Sequence, residues 1–429
     1  MIHKTLLARQ QAGNPIRLGA SAIEWMGSGL VAAVSHVAGM EISLLANADV
    51  EEGIQAFMAT GLTRDQIVEV ESASEAEDVI RSGKRAVTAD PRLLAKVEAV
   101  DIVTDSTWSP AIGADVADAC IRYGKDVVLI NIETDVTVGH ILKKKAGEAG
   151  VLYTVSSGDE PGCLIELYDF VKTLGYEVIV IGKGKNNALN TDATPEMVAD
   201  SARKSDKDPV QVASYVDGTK TMFEMTCAAN ATGCRPLQRG MVGPVATLDN
   251  VSEVFALEED GGITKFPGAV DFVQGPSMSG GVFVTVRVND SRIRDDLQYL
   301  KVGKGQYFTF FRPYHLWFLE APISIAEAYF NKRIWLEPQD EPVADIMTVA
   351  KKDLAPGDVL ERFGGYTCYG VMDLAEKARE HNALSSGISP GAKMVRPVKK
   401  GEIITWEDVI LDEASTVVKL RREQDALFR

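Results

Sequence analysis

The stretch that decides the fold of the first third of the chain is IRLGASAIEWMG, residues 16–27. It opens with an apolar segment, 16–20, that predicts a buried strand and then runs through a turn into a helix-forming sequence. Similar apolar segments recur further on, separated by runs long enough for crossover helices, such as 111–123 and 139–149. The other predicted strands are 41–46, 85–88, 101–104, 126–130 and 151–155. This alternation predicts right-handed βαβ units with a parallel sheet, and therefore a doubly wound, Rossmann-type α/β domain.

The turn after the first strand departs from the pattern that binds the pyrophosphate of a dinucleotide. That pattern is G-x-G-x-x-G at the start of a helix. Ala22 and Glu24 replace the first two glycines, and Gly27 matches the third. Asn47 follows the second strand, where an acidic residue would hold the ribose. We predict a dinucleotide site at Ala22, Gly27 and Asn47, with a degenerate or repurposed cleft as the alternative, because Glu24 adds a side chain and a charge where phosphate approaches.

A second informative stretch is IVIGKGKNN, residues 179–187. An apolar strand runs into Lys183 and Lys185, each beside a glycine, and then into Asn186 and Asn187. Glycine permits close backbone approach, lysine is a compact positive charge, and asparagine both donates and accepts hydrogen bonds. On a chain of net charge −16, this basic loop predicts a pocket for a small anion. The alternative is a solvated turn with ordinary surface lysines.

The loop SGDEPG, residues 157–162, follows the sixth predicted strand. Doubly wound sheets carry their ligands at this edge. Asp159 and Glu160 are adjacent carboxylates that can hold Mg²⁺ or Mn²⁺. They can equally cap the helix that starts near Pro161, since acidic residues and proline favour a helix N-terminus.

The segment DGTKTMFEMTCAANAT, residues 217–232, is apolar on all sides of a helix and is therefore predicted to be buried. Lys220 and Glu224 stand four residues apart on one face and are predicted to pair. A buried, paired lysine is a candidate acid or base because its pKa is easily moved. The alternative is a structural ion pair.

The segment FFRPYHL, residues 310–316, places a cation and a histidine in an aromatic run. Arg312 is a candidate for holding a substrate anion, and His315 is a candidate proton shuttle. The alternative for His315 is a core residue with its hydrogen bonds satisfied.

The composition of the chain limits the class of protein and the kinds of partner that we expect. The 429 residues, 45% hydrophobic and 25% charged, predict a globular protein of two or three domains. An excess of 61 acidic over 45 basic residues argues against nucleic-acid or anionic-membrane partners. Without a signal-like apolar core at the N-terminus, a cytoplasmic location is expected. The five scattered cysteines suggest neither disulfides nor a zinc site. We place domains at 1–156, 157–342 and 343–429, the last being β-rich.

These motifs together resemble a known family. NIETDVTVG (131–139), SGDEPG, GKGKNN, VDGTKTMFEM (216–225) and RPYHL (312–316) are similar to the homoserine-dehydrogenase-like oxidoreductases that carry a C-terminal SAF domain. That family includes the 1-deoxy-D-xylulose-5-phosphate reductoisomerase-like (DRL) enzymes of isoprenoid biosynthesis. The resemblance extends over about residues 14–412, and LAPGDVL and KKGEIITWEDV resemble the SAF, or β-clip, module.

The resemblance implies reduction of a small hydroxylated, phosphorylated or carboxylated carbonyl compound by NADP(H), or by NAD(H), in a homo-oligomeric enzyme. It makes Lys220, Glu224 and Lys183 the catalytic candidates, with Lys220 polarising the carbonyl or returning a proton. The implied substrate ligands are Lys185, Asn186, Asn187, Arg312 and His315. Asp159 or Glu160 would hold a divalent metal, Mg²⁺ or Mn²⁺, that acts as a Lewis acid.

Two further functions stay open at this level. One is a homoserine-dehydrogenase-type oxidation of a 2-amino or 2-hydroxy acid, which needs no metal. The other is a relative without dinucleotide binding, acting as a cofactor-independent lyase or isomerase or as a small-molecule binding protein. Glu24 favours the latter, and the lysine motifs favour an oxidoreductase.

Overall fold

The computed structural model describes residues 1–22 and 24–428, with the side chains of residues 24–26 outside the description. The expectation about the Glu24 carboxylate therefore lies outside the described residues. The α-helices are α1 Ile2–Gln11, α2 Glu24–Ser35, α3 Val50–Met58, α4 Ala73–Arg81, α5 Pro110–Tyr123, α6 Ile132–Ala149, α7 Glu160–Thr173, α8 Pro195–Lys204, α9 Pro209–Val216, α10 Thr219–Thr232, α11 Val251–Val254, α12 Ser291–Tyr299, α13 Ala321–Asn331, α14 Ala375–Glu380 and α15 Thr416–Leu427. The strands are β1 Ile16–Ser21, β2 Met40–Ala46, β3 Ile67–Glu69, β4 Arg85–Thr88, β5 Ile102–Asp105, β6 Val127–Leu129, β7 Tyr153–Val155, β8 Glu177–Lys185, β9 Arg235–Pro236, β10 Ala269–Gln274, β11 Val282–Arg287, β12 Tyr307–Arg312, β13 Ala344–Ala350, β14 Cys368–Leu374, β15 Lys393–Met394 and β16 Val409–Ile410.

The chain forms two compact units. Unit 1 comprises Met1–Asp159, Leu316–Glu337 and Glu413–Arg429, and unit 2 comprises Glu160–His315 and Pro338–Asp412. The division into three domains at residues 156 and 342 stays a prediction.

Unit 1 is built on a seven-stranded sheet of order β3-β4-β2-β1-β5-β6-β7. Every pairing in this sheet is parallel. The predicted doubly wound α/β fold is thus confirmed, and each of the six predicted strands corresponds to a strand. The sequence missed β3, because its three residues include a single fully buried side chain and give no usable periodicity.

Helix α6 is longer than predicted. It begins at Ile132, where the side-chain oxygen of Asn131 accepts a hydrogen bond from Thr134 N, and it bends at Val138, whose φ and ψ are not helical. The C-terminal helix α15 packs on this bend, since the Gln424 side chain accepts from Ile141 N and donates to Thr137 O. A side chain thus satisfies the backbone groups that the bend leaves open.

Unit 2 contains a mixed five-stranded sheet of order β12-β11-β8-β10-β9. The central strand β8 runs parallel to β10 and antiparallel to β11. One face of this sheet packs on a core that includes Phe255, Met278 and Phe283. Helix α10 packs against α7 and against the antiparallel pair β13–β14 of the later part of the chain. As predicted, α10 is buried on nearly all sides.

The five cysteines are buried and free. Among the helices of residues 1–22 and 24–428, we find none that is long and apolar enough to span a bilayer.

Candidate active site

The GKGK sequence forms the end of a buried strand, which corrects the expectation of a loop. Residues 182–185 are the last four of β8, and Lys183 and Lys185 are 6% and 4% exposed. The glycines make this strand possible. A Cβ on Gly182 would lie 2.3 Å from Asp271 O, and one on Gly184 would lie 1.7 Å from Met278 O. Since alternate residues of a strand face opposite sides, both lysines point to the other face.

On that face, Lys183 lies between two glutamates from two helices. Its Nζ donates to Glu160 Oε1 at 2.5 Å and to Glu224 Oε2. Glu160 is the first residue of α7, and Glu224 lies in the middle of α10. The side chains of Lys183, Glu160 and Glu224 are 7%, 4% and 2% exposed, respectively. This charged cluster (Lys183, Glu160 and Glu224) therefore joins the central strand of unit 2 to both helices.

Two further predicted residues flank the charged cluster. Lys220 Nζ lies 3.9 Å from Glu224 Oε1, and the Lys220 side chain is 23% exposed. His315 Nε2 lies 3.4 Å from Glu160 Oε1, while its Nδ1 donates to Gly280 O at 2.8 Å. The predicted Lys220–Glu224 pair is thus present, but Lys183 makes the closer contact with Glu224. Lys220 is the more exposed of the two lysines.

The charged cluster changes the pKa values of both Lys183 and Glu224. Burial opposes the charge of Lys183, but the two adjacent carboxylates outweigh burial and raise its pKa above the usual lysine range. Burial, together with repulsion from Glu160, raises the pKa of Glu224 to about 7, against the opposing effect of Lys183 and Lys220. Lys183 is therefore a fixed cation, whereas Glu224 can gain or lose a proton near neutral pH.

Lys185 has a different environment from Lys183. Its Nζ donates to Tyr215 O at 2.6 Å and to the Asn187 side-chain oxygen. Burial, followed by the positive charge of Lys183, lowers the pKa of Lys185 to about 8, although Glu224 and Asp217 favour its charged form. One strand thus presents a permanently charged lysine and a titratable lysine two residues apart.

A buried ion pair that the sequence did not reveal lies at the start of α10. Lys351 Nζ is 2.7 Å from Asp217 Oδ2, with side-chain exposures of 3% and 0%. Asp217 stands in the quoted segment 216–225, but nothing in the sequence pattern singled it out. Lys351 directly follows the apolar strand β13, and this position was a signal for its burial.

The remaining predicted substrate ligands are less closely gathered. Asn187 contacts Lys185, whereas Asn186 is exposed. Arg312 forms an ion pair with Glu166 at 3.1 Å and lies over the Tyr314 ring at 4.9 Å. Its substrate role stays a prediction.

The predicted metal ligands fall on both sides of the division between the units, with Asp159 ending one segment of unit 1 and Glu160 starting unit 2. Within unit 2, the Lys183 ammonium contacts Glu160 Oε1 and acts as the counter-ion of this carboxylate. A divalent cation on that same oxygen would have to displace the ammonium. The assignment of Asp159 and Glu160 to a metal stays a prediction, and no step proposed below involves one.

The three predicted cofactor residues lie in unit 1, at the ends of β1 and β2 and in α2. A Cβ on Gly27 would lie 2.7 Å from the backbone of Ala22, so this glycine allows close helix–strand packing. That is the role of the third glycine in a dinucleotide-binding turn. Asn47 is buried, donating to Glu52 and accepting from Asp49 N. Its side chain therefore holds the start of α3, and ribose binding by Asn47 stays a prediction.

A cavity of about 640 Å³ lies elsewhere in unit 1, at the amino end of β2 and β4. Among its lining residues, Glu41 and Arg85 form an ion pair with each other at 2.7 Å. Doubly wound sheets bind ligands at the carboxyl ends of their strands, so this cavity is at the opposite edge. It is not part of the candidate site.

Residues 158–321 match the family model described as the catalytic domain of the oxidoreductase DRL. The charged cluster and Lys185 lie inside this segment. Lys351 lies outside it. A search of curated proteins finds no significant match.

Several solved structures are similar to the chain at low identity. A probable dehydrogenase from Thermotoga maritima is 13% identical over 74% of this chain and 90% of its own, with a TM-score of 0.40. A 1-deoxy-D-xylulose 5-phosphate reductoisomerase from Zymomonas mobilis, in complex with NADPH, is 15% identical over 50% of this chain and 58% of its own, with a TM-score of 0.35. A DOX-P reductoisomerase in complex with magnesium is 14% identical over 75% of this chain and 71% of its own, with a TM-score of 0.40.

Proposed function

We propose that the protein is an NAD(P)H-dependent oxidoreductase or reductoisomerase whose substrate is a small, hydroxylated, anionic carbonyl compound. The observation that carries the proposal is the charged cluster of Lys183, Glu160 and Glu224, with Lys220 beside it. Buried charges of both signs are costly to maintain and concentrate at functional sites. The match of residues 158–321 to an oxidoreductase catalytic domain supports the same assignment.

The proposed cofactor is NADP(H), with NAD(H) as the alternative, and unit 1 would bind it. Support comes from the parallel sheet of seven strands and from Gly27, which packs against Ala22 as a dinucleotide-binding turn requires. The cofactor, when bound, supplies or accepts a hydride. The protein must then give a proton to the substrate oxygen during reduction, or accept one from the hydroxyl during oxidation, and hold the substrate anion.

Lys220 is the residue we assign to the substrate oxygen. It is the most exposed of the three lysines near Glu224, and its ammonium can polarise a carbonyl and donate a proton as the oxygen gains charge. Glu224 lies within 4 Å of Lys220 and has a pKa near neutrality, so it can return the proton. Lys183 keeps Glu224 and Glu160 in place as their common counter-ion.

Lys185 is the residue we assign to the substrate anion. A lysine ammonium carries three N–H donors, and Tyr215 O and the Asn187 side chain accept from two of them. A phosphate or carboxylate would accept from the third. Because burial lowers the pKa of Lys185 to about 8, an anion would also stabilise its charged form. A homo-oligomeric state and a place in isoprenoid biosynthesis belong to the proposal through the family resemblance alone.

Calorimetric titration with NADPH and NADH tests the proposal first. A ligand at about 100 times its Kd should also stabilise the protein by about 2.7 kcal/mol. Assays of hydride transfer with phosphorylated ketoses and with 2-hydroxy and 2-amino acids then separate a reductoisomerase from a homoserine-dehydrogenase-type enzyme. Absence of binding by both dinucleotides would overturn the oxidoreductase assignment in favour of a cofactor-independent lyase, isomerase or binding protein.

A further inference from the structure

Lys351, from the later segment of unit 2 (Pro338–Asp412), contacts the residues that precede α10. Lys351 Nζ lies 2.7 Å from Asp217 Oδ2 and donates to Ala193 O at 2.8 Å and to Gly365 O at 2.9 Å. These three acceptors match the three donors of an ammonium group. They belong to the loop after β8, to the turn between α9 and α10, and to the segment of Lys351 itself. Lys351 therefore fixes three separate stretches of chain at one point.

Asp217 fixes the start of the helix that carries Lys220 and Glu224. Its Oδ1 accepts from Thr219 N at 2.8 Å, and Gly218 between them has a φ of 91°, a value that favours glycine. From the later segment, Gly370 N donates to Thr219 Oγ1 at 2.9 Å. The direction of the first turn of α10 thus depends on contacts made by Asp217 and by the later segment.

The same turn also holds the end of β8. Lys185 Nζ donates to the carbonyl of Tyr215, two residues before Asp217. Asn190 N, in the loop after β8, donates to Val216 O at 2.9 Å. The anion-binding lysine and the start of α10 are therefore tied to one short stretch, residues 215–219.

We propose that Asp217, held by Lys351, is a positioning residue that fixes Lys185 and the first turn of α10 relative to each other. The inference rests on the proposed function only for the role of Lys185 in binding an anion. If it is correct, the segment Pro338–Asp412 helps to set the geometry of the candidate site through Lys351. A buried ion pair is weak evidence for stability, since its desolvation cost offsets the attraction. The positioning role rests instead on the contacts of Asp217 and Lys351.

The charges that act on Lys185 allow a direct test. Lys183 on the same strand lowers the pKa of Lys185, while Glu224 on α10 and Asp217 raise it. Asp217→Asn keeps an oxygen for Thr219 N and removes the carboxylate charge. In protein carrying ¹³C-labelled lysine, with the Lys185 resonance assigned from Lys185→Arg, we expect the pH midpoint of Lys185 to move from about 8 to a lower pH.

The matched control is Asp373→Asn. Asp373 also lies in the later segment and forms an ion pair at 2.7 Å with Arg239, a residue outside the stretch 215–219. This variant should leave the Lys185 midpoint unchanged. The double variant Asp217→Asn/Lys351→Gln removes two opposite charges 2.7 Å apart, whose effects on Lys185 oppose each other. A Lys185 midpoint that still moves in this variant therefore reports a changed position of Lys185, and the variant also serves if Asp217→Asn alone does not fold.

The outcomes separate this inference from the proposed function. A Lys185 midpoint in the folded variant equal to that of the unmodified protein overturns the positioning role, whatever the enzyme does. A lowered midpoint with unchanged KM for an anionic substrate supports the positioning role and removes Lys185 from anion binding. A lowered midpoint with a raised KM and a kcat that changes less supports both.

Discussion

Lys183 Nζ lies 2.5 Å from Glu160 Oε1 and also contacts Glu224, so a single ammonium balances two buried carboxylates from two helices. In sequence, Lys183 is separated from Glu160 by 23 residues and from Glu224 by 41. The contact makes Lys183 a structural centre of the site. This position differs from the basic loop that the sequence suggested, and a catalytic role for Lys183 stays a prediction.

The Lys183→Met variant should therefore have a lower free energy of unfolding than the unmodified protein. Removing the shared counter-ion leaves two buried carboxylates together, and breaking a buried pair in this way costs about 3–5 kcal/mol. Urea unfolding followed by circular dichroism measures the change. Adding Glu160→Gln to Lys183→Met should recover part of the loss, because one uncompensated charge is removed.

Lys352 is exposed, so Lys352→Met is the control and should leave the unfolding midpoint unchanged. An unchanged midpoint for Lys183→Met as well would mean that the carboxylates are protonated or solvated, and that Lys183 is not their counter-ion.

The sequence predicted α10 of this site correctly but not the end of β8. The buried helix was predictable because apolar residues surround it on all sides, and the Lys220–Glu224 pair followed from their spacing of four residues. The strand character of residues 182–185 was not predictable, since glycine and lysine alone favour a loop. Those residues form a strand because β10 and β11 pair with both edges and because Met278 and Asp271 leave no room for a Cβ.

The ion pairs between residues far apart in sequence could not be predicted from local sequence patterns either. Nothing in the spacing of residues joins Lys183 to Glu224 or Lys351 to Asp217, because these contacts depend on how strands and helices pack. In unit 1, by contrast, short apolar runs separated by helices suffice to predict a parallel sheet.

Divalent cations provide a second test of the charged cluster. With Lys183 in place, a cation near Glu160 Oε1 and Glu224 Oε2 competes with an ammonium and is repelled by its charge, whereas Lys183→Met frees these two oxygens. We expect Lys183→Met to bind Mn²⁺ at least about tenfold more tightly than the unmodified protein, a difference of about 1.4 kcal/mol. Isothermal titration calorimetry with MnCl₂ measures it, and Lys185→Met serves as the control that keeps Lys183. Equal Mn²⁺ affinity in all three proteins would show that Lys183 and a cation do not compete.

Lys220 should be required for turnover and contribute little to stability. It is 23% exposed and 3.9 Å from Glu224, so its loss leaves Glu224 still paired with Lys183. Lys220→Met should lower kcat by about 100-fold or more, as expected for a lost acid–base group, with less effect on the melting temperature than Lys183→Met. Steady-state kinetics on a turned-over substrate and thermal unfolding measure the two effects. Retained kcat in folded Lys220→Met would remove Lys220 from the mechanism.

Lys185 differs from Lys220 in its effect on stability. We expect its buried charge to destabilise the folded protein while serving the proposed binding of an anion. Its pKa of about 8 in the folded state is below the ordinary lysine value of about 10.4, so burying the charged form costs about 3 kcal/mol at pH 7. Lys185→Met removes that cost and loses hydrogen bonds to Tyr215 and Asn187 that contribute about 1 kcal/mol each. We expect a net gain of about 1 kcal/mol in the free energy of unfolding at pH 7, together with loss of anion binding.

The pH dependence of that gain checks its cause. Because the folded pKa lies below the unfolded one, the unfolded chain binds more protons between about pH 8 and 10, and the penalty from Lys185 fades as the pH rises through that window. The advantage of Lys185→Met over the unmodified protein should therefore be largest below pH 8 and disappear or reverse near pH 10. Urea unfolding of both proteins at pH 7, 8, 9 and 10 measures the difference. A difference that does not change with pH would show that Lys185 is not held in the folded protein with a lowered pKa.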